Sequence, residues 1–351
     1  MSKLPYHKQI DIESTQKLRE MLSSLPPYAK DFFRGIEQRT SSRTRIAYAY
    51  DLTVFFQFLQ EQNPALREKP VTEITLQELE QVTPKDLEEY MEYLKYYDGS
   101  GDFYHYNQAQ GIKRKISSVR SFYRYFYEKL DIEKNPASLV SLPKIHSKQI
   151  VRLDVNEIAE LLDTVESGEN LTPRQKKYHE KTKVRDLAIM TLLLGTGIRV
   201  SECVGLDLQD IDFDNGGIRI HRKGGKEVMV YFGEEVEQAL LDYLEERMLL
   251  IPATEQDENA LFLSMQKKRI RVRSVENMVH KYASIVTSVK NITPHKLRST
   301  YGTQLYQETG DIYLVADVLG HSDVNTTRKH YAAIEDDRRR SARNKVRLRE
   351  P

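Results

Sequence analysis

TPHKLRSTYGTQLY (293–306), followed by VLGHSDVNTTRKHY (318–331), sets His295 and Arg298 near the start of one helix. The second segment places His321 just after a glycine and Tyr331 ten residues later. Thr293 is a good N-cap and Pro294 a good first helical residue, so His295 and Arg298 fall in the first turn, three apart on one face. Free N–H groups and the dipole at a helix start favour an anion. Arginine adds a fork shaped for phosphate, and histidine a proton donor or acceptor near neutral pH. Alone, the hexapeptide reads equally as a capped helix with an exposed His/Arg pair. Gly320 is expected to end a helix, and VNTTRKHYAAI to form the next one, carrying Tyr331. Most of the 21 tyrosines must be structural. One used as a nucleophile needs its proton removed and the phosphate charge cancelled, which imidazoles and guanidiniums in the same region supply.

Upstream, GTGIRVSE (195–202) follows the apolar run LAIMTLLL, so a buried helix should stop at the glycines and Arg199 should open the next one. Glu202, three residues on, can pair with Arg199 and orient it. Ile218-Arg219-Ile220 and Val228-Met229-Val230 read as strands about Gly224-Gly225, a hairpin-turn signal that leaves Lys223 near a reachable tip. Such a lysine is a solubilising turn residue or an acid able to protonate a leaving oxygen.

The 351 residues suggest about two domains, and 39% hydrophobic residues suffice for packed cores. No apolar run approaches the ~20 residues of a membrane span, and the start lacks an apolar signal core. One cysteine, Cys203, excludes an internal disulfide framework and fits a reducing cytoplasm. No Cys/His spacing resembles a zinc site and no phosphate-binding GxxxxGK[ST] occurs, so no metal, ATP or other cofactor is expected. The net charge of +1 argues weakly against nucleic acid, but distribution matters more than the sum. Lys267, Lys268, Arg269, Arg271 and Arg273 form one basic run, and Arg338, Arg339, Arg340 and Arg343 another. Either is a solvated face or a backbone-binding patch.

From Ser41 the pattern is helical, with Tyr48, Leu52, Phe55 and Leu59 on one stripe. Thr83-Pro84 opens another helix through Leu87, Tyr90, Met91 and Leu94. A third has Ile116, Val119, Tyr123, Phe126 and Leu130 on one face. Lys113, Ser117, Arg120 and Arg124 lie opposite, as a solvent face or a stripe suited to a DNA backbone. Asn135-Pro136 ends the block, ASLVSLPKIHSKQ reads as an extended linker, and an amphipathic helix (Val155 to Val165) begins a second domain. The charged stretch 166–186 is expected as a loop.

Arg199, a hairpin lysine, His-x-x-Arg, Leu-Gly-His and then a tyrosine, in that order, resemble the tyrosine recombinase (phage integrase) family. The likeness covers about 150–335, and 30–140 is similar to that family's helical core-binding domain. It implies a mainly α fold with a small antiparallel sheet. A core-binding (SAM-like) domain at 29–143 and a catalytic domain at 153–335 would form a C-shaped clamp on DNA, in a two-domain Xer- or Cre-like layout. Residues 1–28 would be an extension, 144–152 a linker and 336–351 a tail contacting a neighbouring protomer. The resemblance also implies double-stranded DNA with specific sites as partner, a homotetramer on two sites that is a monomer free in solution, and room for an accessory protein. By the same resemblance Tyr331 attacks the scissile phosphate, Arg199 and Arg298 hold its non-bridging oxygens, and Lys223 protonates the departing 5′-oxygen. His295 would be the acid/base partner of the tyrosine, His321 a phosphate ligand and Glu202 a support. Position 330 is histidine and the tyrosine comes at 331, a spacing one longer than in many members and similar to that of conjugative-transposon integrases. The other readings are a non-cutting DNA-binding protein on the same fold and a type IB topoisomerase-like relaxing enzyme.

Overall fold

The computed structural model describes residues 5–98, 104–145, 151–222, 226–321, 323 and 324. The chain divides into two compact units, Met1–Lys148 and Gln149–Pro351.

The first unit is built from α1 (Tyr6–Leu22), α2 (Ala29–Gly35), α3 (Ser42–Gln62), α4 (Leu76–Glu80), α5 (Pro84–Tyr93), a hairpin of β1 (Tyr96–Asp98) and β2 (Tyr104–Tyr106), and α6 (Ala109–Glu128). The stripe on α3 is buried at Leu52, Phe55 and Leu59, and α6 turns Ile116, Val119, Tyr123 and Phe126 into the same core. The two helices are also tied by a polar link. The carboxylate of Asp51, fully buried, accepts from Ser118 Oγ at 2.7 Å and Arg114 Nη1 at 2.6 Å. Thr83 caps α5 with Pro84 at its first turn, as its sequence requires, and Asp86 closes the capping box. Leu130 departs from the expected stripe. The helix stops at Glu128, and Leu130 takes φ +63° and stands 90% exposed.

The second unit runs α7 (Val155–Ser167), α8 (Pro173–His179), α9 (Lys183–Thr196), α10 (Val200–Gly205), β3 (Ile211–Asp212), β4 (Gly217–His221), β5 (Glu227–Tyr231), α11 (Glu234–Leu249), α12 (Val272–Val286), α13 (Pro294–Thr309) and α14 (Ile312–Leu319). From Leu187 to Leu194 α9 is apolar on every side apart from Thr191, as a helix enclosed by others must be, and it packs against α7, α11 and α13. The strands form one antiparallel sheet in the order β3-β4-β5, with Ile218 opposite Val230 and His221 opposite Glu227. The charged stretch 166–186 is not a loop throughout. Thr172 and Gln175 make a capping box that starts α8, and the helix is held down by His179, 1% exposed. His179 Nδ1 lies 3.1 Å from the Tyr282 hydroxyl, which donates to Asp186 at 3.0 Å. The loop expectation failed because one buried histidine supplies what an apolar stripe supplies elsewhere.

Candidate active site

The end of α9 fixes the first cation. Gly197 adopts φ +62°, and a Cβ there would lie 2.4 Å from the Tyr301 ring and 3.0 Å from Leu319. Glycine is thus required by both backbone and space. The chain turns at once into α10, whose N-cap is Arg199. Glu202, its side chain 6% exposed, holds that arginine at two points. One carboxylate oxygen accepts from the Arg199 backbone N–H at 2.7 Å and the other from Nη1 at 2.8 Å. The remaining terminal nitrogen, Nη2, donates to Gly320 O at 3.3 Å, and 41% of the side chain stays open to solvent.

α13 supplies the second cation. Pro294 occupies the first turn and Thr293 the N-cap position, although Thr293 caps with its carbonyl, which accepts from Lys296 and Leu297, and not with its hydroxyl. Arg298 is 4% exposed and donates to Gly197 O and Leu319 O, bridging the end of α9 to the end of α14. His295, in the same first turn, is exposed.

α14 ends in a glycine turn. Gly320 takes φ +59°, its N–H donates to Asp317 O at 2.8 Å, and the His321 N–H reaches back to Ala316 O at 2.8 Å. This backbone fixes where His321 begins. It also leaves the carbonyls of Val318, Leu319 and Gly320, and a second lone pair on that of Asp317, for other donors, and three arginines take them. Arg222, at the end of β4, donates to Asp317 O at 3.1 Å and Val318 O at 2.6 Å. Arg298 takes Leu319 and Arg199 takes Gly320. Cations at a helix C-terminus are favoured by its dipole. Burial lowers the pKa of Arg222, the nearby Glu202 works against that shift, and Arg199 adds to it. The result is a concentration of guanidinium charge with one buried carboxylate behind it, suited to an oxyanion such as a phosphate group.

Arg199, Glu202, Arg298 and His321 are thus brought together at the last turn of α14. His295 lies one turn before Arg298 on α13. Lys223 and Tyr331 lie outside the described residues, as do Arg338, Arg339, Arg340 and Arg343. Arg222 was not singled out by sequence reasoning; its position beside Lys223 at the root of the hairpin was the available signal. Among the described residues, no three or more His, Cys, Asp or Glu are grouped to hold a metal ion.

The basic residues divide. Arg120 donates to Ala137 O and Val140 O, and Arg269 to Val204 O, Leu206 O and Asp207. Both are engaged within the protein: Arg120 serves two carbonyls that secondary structure leaves over, whereas Arg269 reaches Val204 O, shares Leu206 O with the Leu261 N–H and pairs with the Asp207 carboxylate. Arg124, Lys267, Lys268, Arg271 and Arg273 are exposed and Lys113 partly so.

Comparison with known proteins gives a consistent set. The model of the phage integrase family matches residues 151–338, and that of its N-terminal SAM-like domain matches residues 29–129. The chain is 33% identical over 329 residues to the tyrosine recombinase XerC of Caldanaerobacter subterraneus subsp. tengcongensis, covering 91% of this chain and 86% of that protein. The XerH site-specific recombinase bound to palindromic difH substrate superposes with a TM-score of 0.64 at 18% identity, over 94% of each chain. The lambda integrase tetramer bound to a Holliday junction gives 0.59 at 15% identity, over 86% of this chain and 76% of that one. At such identities these two structures bear on the fold alone.

Proposed function

Because the chain belongs to the phage integrase family and is a tyrosine site-specific recombinase, we propose that it exchanges strands between two specific double-stranded DNA sites as a homotetramer. Its service would be resolution of chromosome or plasmid dimers, or integration and excision of mobile DNA, in the cytoplasm. The observation that carries the site assignment is the meeting of Arg199 and Arg298 at the carbonyls of Leu319 and Gly320, where α14 ends immediately before His321.

In this reading the Tyr331 oxygen attacks the scissile phosphorus as its proton passes to His295. The bond to the 5′-oxygen breaks, and that oxygen takes a proton from Lys223. A 3′-phosphotyrosyl link and a free 5′-hydroxyl result, and the conserved bond energy reseals the strand without ATP. Arg199 and Arg298 hold the non-bridging oxygens, His321 adds a donor, and Glu202 keeps Arg199 aimed. Lys113, Arg124, Lys267, Lys268, Arg271 and Arg273 are proposed contacts to the DNA backbone. The tail 336–351 is proposed to touch a neighbouring protomer.

The test is a nicked suicide duplex carrying the native site, taken from DNA flanking the gene. Wild type should give a slow-migrating covalent band on a denaturing gel, and Tyr331→Phe none. A band that persists in Tyr331→Phe moves the nucleophile elsewhere. Binding without a band in either protein supports the non-cutting reading. Relaxation of any supercoiled plasmid, without the site, supports a topoisomerase.

A further inference from the structure

Arg222 is assigned no part in the chemistry above, yet it belongs to the cation cluster at the end of α14. Its backbone N–H donates to Lys226 O at 2.8 Å, the last rung described before the hairpin turn. Its side chain leaves the sheet and grips Asp317 O and Val318 O. A Cβ on Gly320 would lie 2.3 Å from Nη1, so the guanidinium packs directly on the turn that precedes His321. Its Nε is buried and, among the described residues, has no hydrogen-bond partner. Leaving a buried donor unsatisfied costs free energy. A solubilising arginine would swing outward to satisfy it. This one is instead kept where both terminal nitrogens reach α14.

We propose that Arg222 is a positioning residue for cleavage: it pins the root of the β4–β5 hairpin to the C-terminal carbonyls of α14, and so sets where the next residue, Lys223, meets the leaving oxygen. The proposal rests on the reading of Lys223 as the general acid. Arg199 and Arg298 are bound to the same turn, so one helix end registers the phosphate-holding cations and the acid against each other. A shift on the order of 1 Å in such a group can cost ~10²-fold in rate. Arg222 itself touches neither substrate nor reacting atoms.

The experiment compares two suicide substrates. One carries the natural 5′-oxygen at the scissile phosphate. The other carries sulfur there, and a thiol, with a pKa near ~8.5, departs without being protonated. Arg222→Met keeps the packed stem and removes the guanidinium. On the oxygen substrate its covalent adduct should form ~10–100-fold more slowly than that of wild type. On the sulfur substrate it should return close to the wild-type rate. Lys223→Ala should show the same relief, whereas Arg199→Ala should be slow on both. Equal loss by Arg222→Met on both substrates would place Arg222 on the phosphate or in the fold and overturn the proposal. Full activity on the oxygen substrate would overturn it too. Lys223→Ala without relief by sulfur would show that the general-acid reading itself fails. Arg222→Lys, assayed in parallel, serves should Arg222→Met melt early: it retains the charge but cannot span two carbonyls, and should show a smaller loss with the same relief.

Discussion

Glu202→Gln isolates the orientation of Arg199 from its charge. The carboxylate accepts from the Arg199 backbone N–H at 2.7 Å and from Nη1 at 2.8 Å, and it is nearly buried. A glutamine of the same shape can serve one of these donors, but it turns an NH₂ toward the other. A hydrogen bond to a charged group contributes ~1.5–3 kcal/mol. Because 41% of the Arg199 side chain is exposed, screening favours the low end. A loss of about 1.5 kcal/mol transferred to the transition state slows cleavage roughly tenfold. Removing the cation outright, in Arg199→Ala, should cost ~10²–10³, by analogy with other preorganised anion sites. The assay is single-turnover formation of the covalent adduct at saturating protein, with melting temperature measured alongside. Wild-type cleavage in a Glu202→Gln protein that melts early would refute the orienting role and leave the pair purely structural. A loss as large as that of Arg199→Ala would refute the division between orientation and charge.

Gly197→Ala should lower stability by at least ~1–2 kcal/mol from its left-handed backbone alone, with more from displacing the Tyr301 ring; an unchanged denaturation midpoint would contradict this. His179 is held below its ordinary pKa, chiefly by burial and then by Lys281. The unfolded chain therefore takes up a proton first, and stability present above the unfolded pKa falls as pH drops below it. Melting temperature should fall between about pH 7.5 and pH 5.5, and less steeply in His179→Gln. An identical pH slope in the two proteins counts against it. Burial pushes the Cys203 thiol up to about 12 and leaves it no exposed surface, so maleimide should label it only after denaturation. Rapid labelling of the native protein would mean that the α9–α10 junction opens.

The elements most legible from sequence were those whose periodicity and caps agree. α3 shows its stripe, α5 its Thr-Pro start, α9 its unbroken apolar run, and β4–β5 its alternation about a glycine pair. α8 was missed because a two-turn charged helix has no stripe, and its anchor is one histidine whose partner, Tyr282, lies 103 residues on. The β1–β2 hairpin was missed because a row of tyrosines gives neither period clearly. At the site, Arg199 and Arg298 could be picked out because each follows a helix start or stop. Arg222 and the structural duties of Arg120 and Arg269 could not. A guanidinium that serves orphaned carbonyls is recognised only by knowing which carbonyls the fold leaves unpaired.

The sharing of Asp317, Val318, Leu319 and Gly320 among Arg222, Arg298 and Arg199 bears on when the enzyme becomes dangerous to its own genome. Domains tend to form as the chain emerges, N-terminal part first. Residues 199 and 222 leave the ribosome roughly a hundred residues before the carbonyls that hold them, and Arg298 about twenty before. Until α14 arrives the guanidiniums have no common anchor. A truncated or half-made chain can therefore bind DNA by charge alone but lacks an assembled cutting centre. Under the proposed mechanism, synthesis order acts as a safety catch, held until α14 and then Tyr331 have been made.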